Sequence, residues 1–287
     1  DLPAKLSLKV AAVEAEYKTL DKQFDSAKRL LEGLLEQETS AKFLADAGKT
    51  ILSELHLDNA GRLETFVLLA QQAEDAKKSG KKVLHAPDQL LALAVTGWLL
   101  GNNAAEAKLE TAENAWVSRT MALNYQRAVR AGDREKLLKE YVGASRKLGV
   151  DELAQLISVL PPAEADEKPP TKPTKANTGP APGLPGGVDY LISLPPEYSH
   201  SRSYPLLILL PNGNEPLETT LKSFGDYPAH HGYVTAVLRW NGGLGSEYSG
   251  TAEEHARVTG LIWHLRRKYQ VNSDRVDTEA LNLKMKF

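Results

Sequence analysis

The sequence predicts a multidomain chain, an all-α helical part followed by a partial α/β part with a mainly parallel sheet. Three observations carry this. Apolar residues recur every three or four positions through residues 1–160, with no strand-like run. Residues 161–187 hold eight of the sixteen prolines and almost nothing apolar. After residue 187, short continuous apolar runs alternate with helical patterns, as a parallel sheet requires. The expected boundaries are a helical domain over 1–160, a linker over 161–187 and an α/β domain over 188–287.

The first helix is expected over 5–38, where Val10, Val13, Tyr17, Leu20, Phe24, Ala27, Leu31 and Leu34 share one face. Phe43, Leu44, Ile51, Leu52 and Leu55 mark a second. Asp58 and Asn59 are suited to cap a third, through Leu63, Phe66, Val67 and Ala70. That helix should fray in the turn 77–82, whose four lysines read as a solvated surface. Asp88 is the expected N-cap of a helix over Gln89–Leu100, apolar on most sides and therefore buried. A further helix runs through Trp116, Met121 and Tyr125, with Trp98, Trp116 and Tyr125 read as helical core. Gly132-Asp133 and Gly149-Val150-Asp151 read as stop-and-cap signals around short final helices.

The proline-rich stretch 161–187 reads as a semi-rigid, solvated spacer, because proline removes donors and favours extended backbone. Strands are expected at Val188–Leu194, Tyr204–Leu210 and Tyr233–Leu238. The run Leu206-Leu207-Ile208-Leu209-Leu210 is the pattern of a strand buried on both faces. Helices are expected around Leu217–His231 and over Ala252–Tyr269.

Composition excludes several chemistries. The chain has no cysteine, so it has no disulfide, thiolate zinc site or cysteine nucleophile. A net charge of −2 offers no electrostatic case for nucleic acid or an anionic membrane. The most apolar stretch, Leu90 to Leu100, is too short to span a bilayer. No cofactor is indicated. Gly242-Gly243-Leu244-Gly245 sits between a strand and a helix but lacks the nucleotide-binding glycine spacing and the Walker lysine. His255 and His264 are nine residues apart, not at the spacing of a two-histidine zinc face. His230 and His231 close a helix, where imidazole can cap carbonyls, and Glu253 and Glu254 suit a helix N-terminus.

Several segments together resemble a family. Tyr190-Leu-Ile-Ser-Leu-Pro-Pro-Glu-Tyr198 and Tyr204-Pro-Leu-Leu-Ile-Leu-Leu210 are followed by His231-Gly-Tyr-Val234 and Arg267-Lys-Tyr-Gln-Val-Asn-Ser-Asp-Arg-Val276. This order is similar to the opening of an esterase-type α/β-hydrolase domain of the polyhydroxybutyrate-depolymerase-like and prolyl-oligopeptidase-like kind. With the helical front and linker, the arrangement resembles large hydrolase-like proteins of planctomycete bacteria. The resemblance implies ester or peptide hydrolysis by a serine nucleophile in a Gly-x-Ser-x-Gly elbow directly after the strand that follows Asp-Arg-Val. Here that register reads Ala280-Leu281-Asn282-Leu283-Lys284. Asn282 takes the serine's place, and an amide cannot form an acyl intermediate. Ala280 and Lys284 replace the glycines of the strained turn.

The family's acid and histidine would follow later than Phe287, so the resemblance implies a truncated or degenerate relative without a catalytic residue. Its oxyanion loop corresponds to Pro211-Asn212-Gly213-Asn214. Pro211 has no N–H to donate, leaving Asn212 and Gly213 as oxyanion-loop candidates. The bland reading of the same residues is an ordinary strand-to-helix connection.

Two expectations concern partners. One is a non-catalytic interaction protein whose helical domain binds a protein partner. The other follows from the family's strand order, which sets Tyr204–Leu210 between Tyr233–Leu238 and the strand after Arg275. Asp277-Thr-Glu-Ala280 is a poor apolar strand, so the central strand should present an unpaired edge prone to self-association.

Overall fold

The computed structural model describes residues 4–37, 39–128, 130–166, 168–180, 184, 186–200, 202–240 and 251–280. The chain divides into two compact units, Asp1–Leu160 and Pro161–Phe287.

The first unit is helical: α1 (Ala4–Leu35), α2 (Lys42–Glu54), α3 (Glu64–Lys78), α4 (Pro87–Leu100), α5 (Leu109–Arg127), α6 (Ala131–Gly143) and α7 (Val150–Ser158). A 3-10 turn, Leu57–Leu63, precedes α3. The core forms around α4, whose residues Leu90 to Leu100 are all buried. All the other helices except α6 turn apolar residues into this core, including Leu31, Leu44, Ile51, Phe66 and Leu156. Gly101, at φ 96°, ends α4 in a conformation that disfavours a side chain.

Capping differs from expectation in two places. Asn59 does not open α3; its Oδ1 accepts from the His56 N–H at 2.7 Å and closes the 3-10 turn. Asp88 is not the N-cap of α4, because Pro87 already occupies the first helical position. Its carboxylate accepts from the Ser40 N–H at 3.2 Å, tying the start of α4 to the start of α2. Gln89 reaches back instead, its Oε1 accepting from the Ala86 N–H at 2.9 Å.

A buried ion pair sits inside this unit. Arg119 on α5 is 8% exposed and bonds the Glu54 carboxylate at the end of α2. Trp98 donates its indole N–H to the same carboxylate at 3.4 Å, and Arg62 donates to the Trp98 carbonyl at 2.6 Å. Burial pushes the Glu54 carboxyl above its usual range, and Arg119 pulls it back only in part. Tyr125, expected in the core, is instead 42% exposed, with the Arg134 guanidinium 5.8 Å from its ring centre.

The second unit is a mixed five-stranded sheet: β1 (Thr174–Asn177), β2 (Asp189–Ser193), β3 (Tyr204–Leu210), β4 (Val234–Leu238) and β5 (Val271–Ala280), in the order β1-β2-β4-β3-β5. β4, β3 and β5 run parallel, and β2 is antiparallel to β4 and to β1. Helix α10 (Ala252–Lys268) and the shorter α8 (Leu217–Ser223) and α9 (Tyr227–His230) complete it. The alternation of β3 sorts its apolar residues between two cores. Leu206, Ile208 and Leu210 join Leu261 and Leu265 of α10, whereas Leu207 and Leu209 join Leu217 of α8. The single helix expected over 217–231 is split at Gly225, whose φ of 57° terminates α8.

Two expectations are corrected here. The stretch 161–187 is not wholly a solvated spacer. Thr174 to Asn177 pairs with β2 as an edge strand, and Leu184 is buried in the core beside α10. Proline at 173 falls just before the strand, where its missing N–H costs no ladder bond. Nor is the edge of β3 open, because β5 continues through Asp277, Thr278 and Glu279 to Ala280 in parallel register with Leu207 to Leu210. The ladder needs only backbone groups. Val271 and Val276 supply the packing, and the polar side chains suit an outermost strand.

Candidate functional site

In an open α/β sheet, ligands gather beyond the carboxyl ends of the parallel strands. In this unit the described part of that rim is the loop after β3 together with Arg239 and Trp240, which follow β4.

The loop after β3 is held closely. Asn212 to Glu215 forms a turn in which the Glu215 N–H bonds the Asn212 carbonyl at 3.0 Å, with Gly213 at φ 53°. A side chain at 213 would be strained, which accounts for the glycine. Trp240, 2% exposed at the end of β4, donates its indole N–H to the Pro211 carbonyl at 2.8 Å. Arg239 reaches the Glu215 carbonyl at 3.4 Å, and Thr220 of α8 bonds the Glu215 carboxylate at 3.2 Å. Asn212 is exposed at the rim of this loop and Gly213 partly so. The turn therefore sets their backbone at the strand end.

Asn282 lies outside the described residues, as do Ser246, Ser249 and the glycines at 242, 243 and 245. β5 ends at Ala280, two residues before Asn282. Helix α10 begins after the loop 241–250 with a reciprocal cap. Glu254 accepts from the Thr251 N–H at 2.8 Å, and Thr251 Oγ accepts from the Glu254 N–H at 3.3 Å. That capping role explains the buried Glu254.

The histidines do not come together. His230 and His231 are exposed at the end of α9, with the His231 ring 4.1 Å from that of Tyr227. His255 is in the first turn of α10. His264 packs edge-on against Tyr190 of β2, with Nε2 3.0 Å from its hydroxyl. Burial first, then Lys268 and Arg267, hold the His264 imidazole below its usual pKa. Among the described residues no group of three or more His, Cys, Asp or Glu could hold a metal, and no helix is long and apolar enough to cross a membrane.

A second polar cluster lies at the opposite end of β3. The Tyr204 hydroxyl donates to the Glu197 carbonyl at 2.8 Å, and the Tyr198 hydroxyl accepts from the Gln270 N–H at 2.9 Å. His200 is 3.0 Å from that Tyr198 hydroxyl and 2.9 Å from the Asp166 carbonyl. Burial pushes the Tyr198 and Tyr190 phenols well up, and Tyr269 to about 12, so all three stay protonated. The Tyr198 and Tyr204 hydroxyls fasten loop backbone to the starts of β3 and β5. They are support for the sheet, not a reactive centre.

Sequence reasoning singled out Asn212 and Gly213 but missed the Trp240, Arg239 and Thr220 contacts that hold their loop. An indole directly after an apolar strand was the available signal. No family model and no curated protein matches the chain.

Proposed function

We propose that the α/β unit is a serine-hydrolase scaffold with asparagine in the nucleophile position, and that this chain does not hydrolyse esters by a serine mechanism. The observation that carries the reading is register. β5 runs beside β3 as far as Ala280, the last described residue, and in this register the elbow of a hydrolase would fall on 280–284 with Asn282 at its centre. Support also comes from β3 lying between β4 and β5, the order the resemblance implies. The turn at Asn212-Gly213 follows β3 where such a scaffold carries half of its oxyanion hole.

Acyl transfer requires an activated nucleophile, a base, a group orienting that base, and donors for the oxyanion. The turn after β3 can supply one donor. Asn282 cannot supply the nucleophile, and His264 is engaged with Tyr190 on the flank of the sheet. In serine hydrolases of this kind the substrates are esters or peptides, and the carboxyl-end rim of β3 and β4 is where such a substrate would lie.

The test is incubation of the purified chain with a p-nitrophenyl ester and with a fluorophosphonate probe. We expect no labelling and no turnover above buffer. Stoichiometric labelling of Ser246 or Ser249, with turnover abolished by replacing that serine with alanine, would overturn the reading.

A further inference from the structure

Helix α1 is built on one seam but covered along only half of it. Val10, Val13, Tyr17, Leu20, Phe24, Ala27, Leu31 and Leu34 alternate three- and four-residue steps without a break. That is a seven-residue repeat, the spacing of a helix that pairs with another helix. The C-terminal half obeys it inside the first unit. Ala27, Leu31 and Leu34 are buried against α2, α3 and the 3-10 turn, and Leu20 and Phe24 are half-buried. In the N-terminal half every residue from 9 to 19 is exposed, including Val10 at 43%, Val13 at 64% and Tyr17 at 56%. The exposed stripe continues an established helix-packing surface, in register.

We infer that this stripe pairs antiparallel with the same stripe of a second copy of the chain. The flanking residues choose that occupant. With Val10 and Val13 as the core positions, Lys9 and Glu16 border the seam on one side and Glu14 and Asp21 on the other. In an antiparallel pair the first side faces itself. Setting Val10 opposite Val13 of the second copy brings Lys9 opposite Glu16 of that copy, and Glu16 opposite its Lys9. Both contacts are attractive. A parallel pair also gains an attraction, Lys9 against Glu14 of the other chain, but offsets it by setting Glu16 against Asp21, like against like.

The exposed stripe ends toward the packed half of the helix, where Leu20 becomes half-buried. Composition agrees with the antiparallel choice. Ala11, Ala12 and Ala15 keep the surroundings of the two-fold axis small. Two heptads are too short to pair as free peptides. Here each is the extension of a helix already anchored by its packed half, so nucleation is met. The inference concerns the first unit alone and is independent of the hydrolase reading.

Sedimentation velocity on the full chain, from about 1 to 200 μM, tests it on a scale appropriate to a small interface. The expected result is a reversible monomer–dimer equilibrium. Val13→Lys abolishes it with unchanged helical circular dichroism, because Val13 is exposed in the single chain. Glu16→Lys weakens the dimer by about tenfold, and Lys9→Glu added to it restores the wild-type affinity. A chain that stays at 31.4 kDa at the highest concentration, or a dimer indifferent to Val13→Lys, overturns the inference. Tightening by Glu16→Lys alone overturns the antiparallel pairing, since a parallel dimer would gain a contact with Asp21.

Discussion

The two units solve the burial of polar groups in opposite ways. The helical unit surrounds α4, apolar from Leu90 to Leu100 but for Thr96, and keeps one ion pair, Glu54 with Arg119, between α2 and α5. The sheet unit packs neutral polar groups, tyrosine hydroxyls and the His264 ring, along its sheet, keeps its charged groups at a helix cap (Glu254) and at the Arg267–Glu164 pair, and spreads its apolar residues over two faces. A charged pair in a helical core is sensitive to losing one partner. Neutral groups flanking a sheet are sensitive to acquiring a proton. The comparison can therefore be broken from either side.

The largest effect is expected at the ion pair. Arg119→Met leaves the Glu54 carboxylate without its cation, with only the Trp98 indole and water to satisfy it. Breaking one side of a buried pair typically costs about 3–5 kcal/mol. Removing both charges, in Glu54→Gln with Arg119→Met, should recover most of that, because burial dominates the shifted Glu54 carboxyl and already opposes its ionisation. Denaturant unfolding followed through exchange of α2, α4 and α5 amides reads both. A double variant as unstable as the single one would show that the pair itself, not the orphaned charge, matters.

The ion pair also shows why some features were legible in the sequence and others were not. Helices α1 to α3 announce themselves by period, and α4 and Tyr204–Leu210 by nearly unbroken apolar runs, because burial needs those patterns locally. Glu54 and Arg119 are 65 residues apart and lie on helices whose periodicity says nothing of their meeting. The turn at Asn212-Gly213 was legible from its residues. Its lock by Trp240 was not, since the 29-residue span to Pro211 closes only once β3 and β4 are in register. β1 and the charged end of β5 were misread for a related reason. An edge strand is held by backbone bonds, so proline-rich or acidic composition does not forbid it when one side remains free.

An intermediate effect is expected at the hairpin that joins β1 to β2. Gly187 has φ 67°, and a Cβ there would lie 2.3 Å from Asn177 Oδ1 and 2.6 Å from the Gly179 carbonyl. Asn177 cannot easily yield, because its Oδ1 accepts from the Gly179 N–H at 2.7 Å and its amide donates to Asp189 at 2.7 Å. Gly187→Ala should cost about 1–3 kcal/mol and release β1 from the sheet. Gly186→Ala, with open space and no positive φ, should stay within about 0.5 kcal/mol of wild type. Hydrogen exchange at Thr174–Asn177 measures the difference. Equal exchange in the two variants would mean that β1 is not held by this turn.

The smallest effect is one of pH, and it belongs to the sheet unit. His264 is held neutral in the fold by burial and by Lys268 and Arg267, with Glu164 and Asp166 opposing. Its folded pKa lies below the unfolded value, so the unfolded chain takes up the proton first as pH falls. The stabilisation is therefore complete above about pH 6.5 and is lost as pH drops toward the lower, folded value. Once protonated, the ring can only donate through Nε2 to the Tyr190 hydroxyl. For one proton the slope cannot exceed about 1.4 kcal/mol per pH unit. Between pH 7.5 and 5.5, β2 and α10 should lose exchange protection while α4 does not, since most carboxylates titrate at lower pH. His264→Gln should flatten the response. Tyr190→Phe should keep a pH slope but lower stability throughout by about 0.5–1.5 kcal/mol, the worth of one hydrogen bond. A sheet unit whose protection is flat across this range would show that the imidazole is free to charge in place, and that neutrality is not what the Tyr190 contact protects.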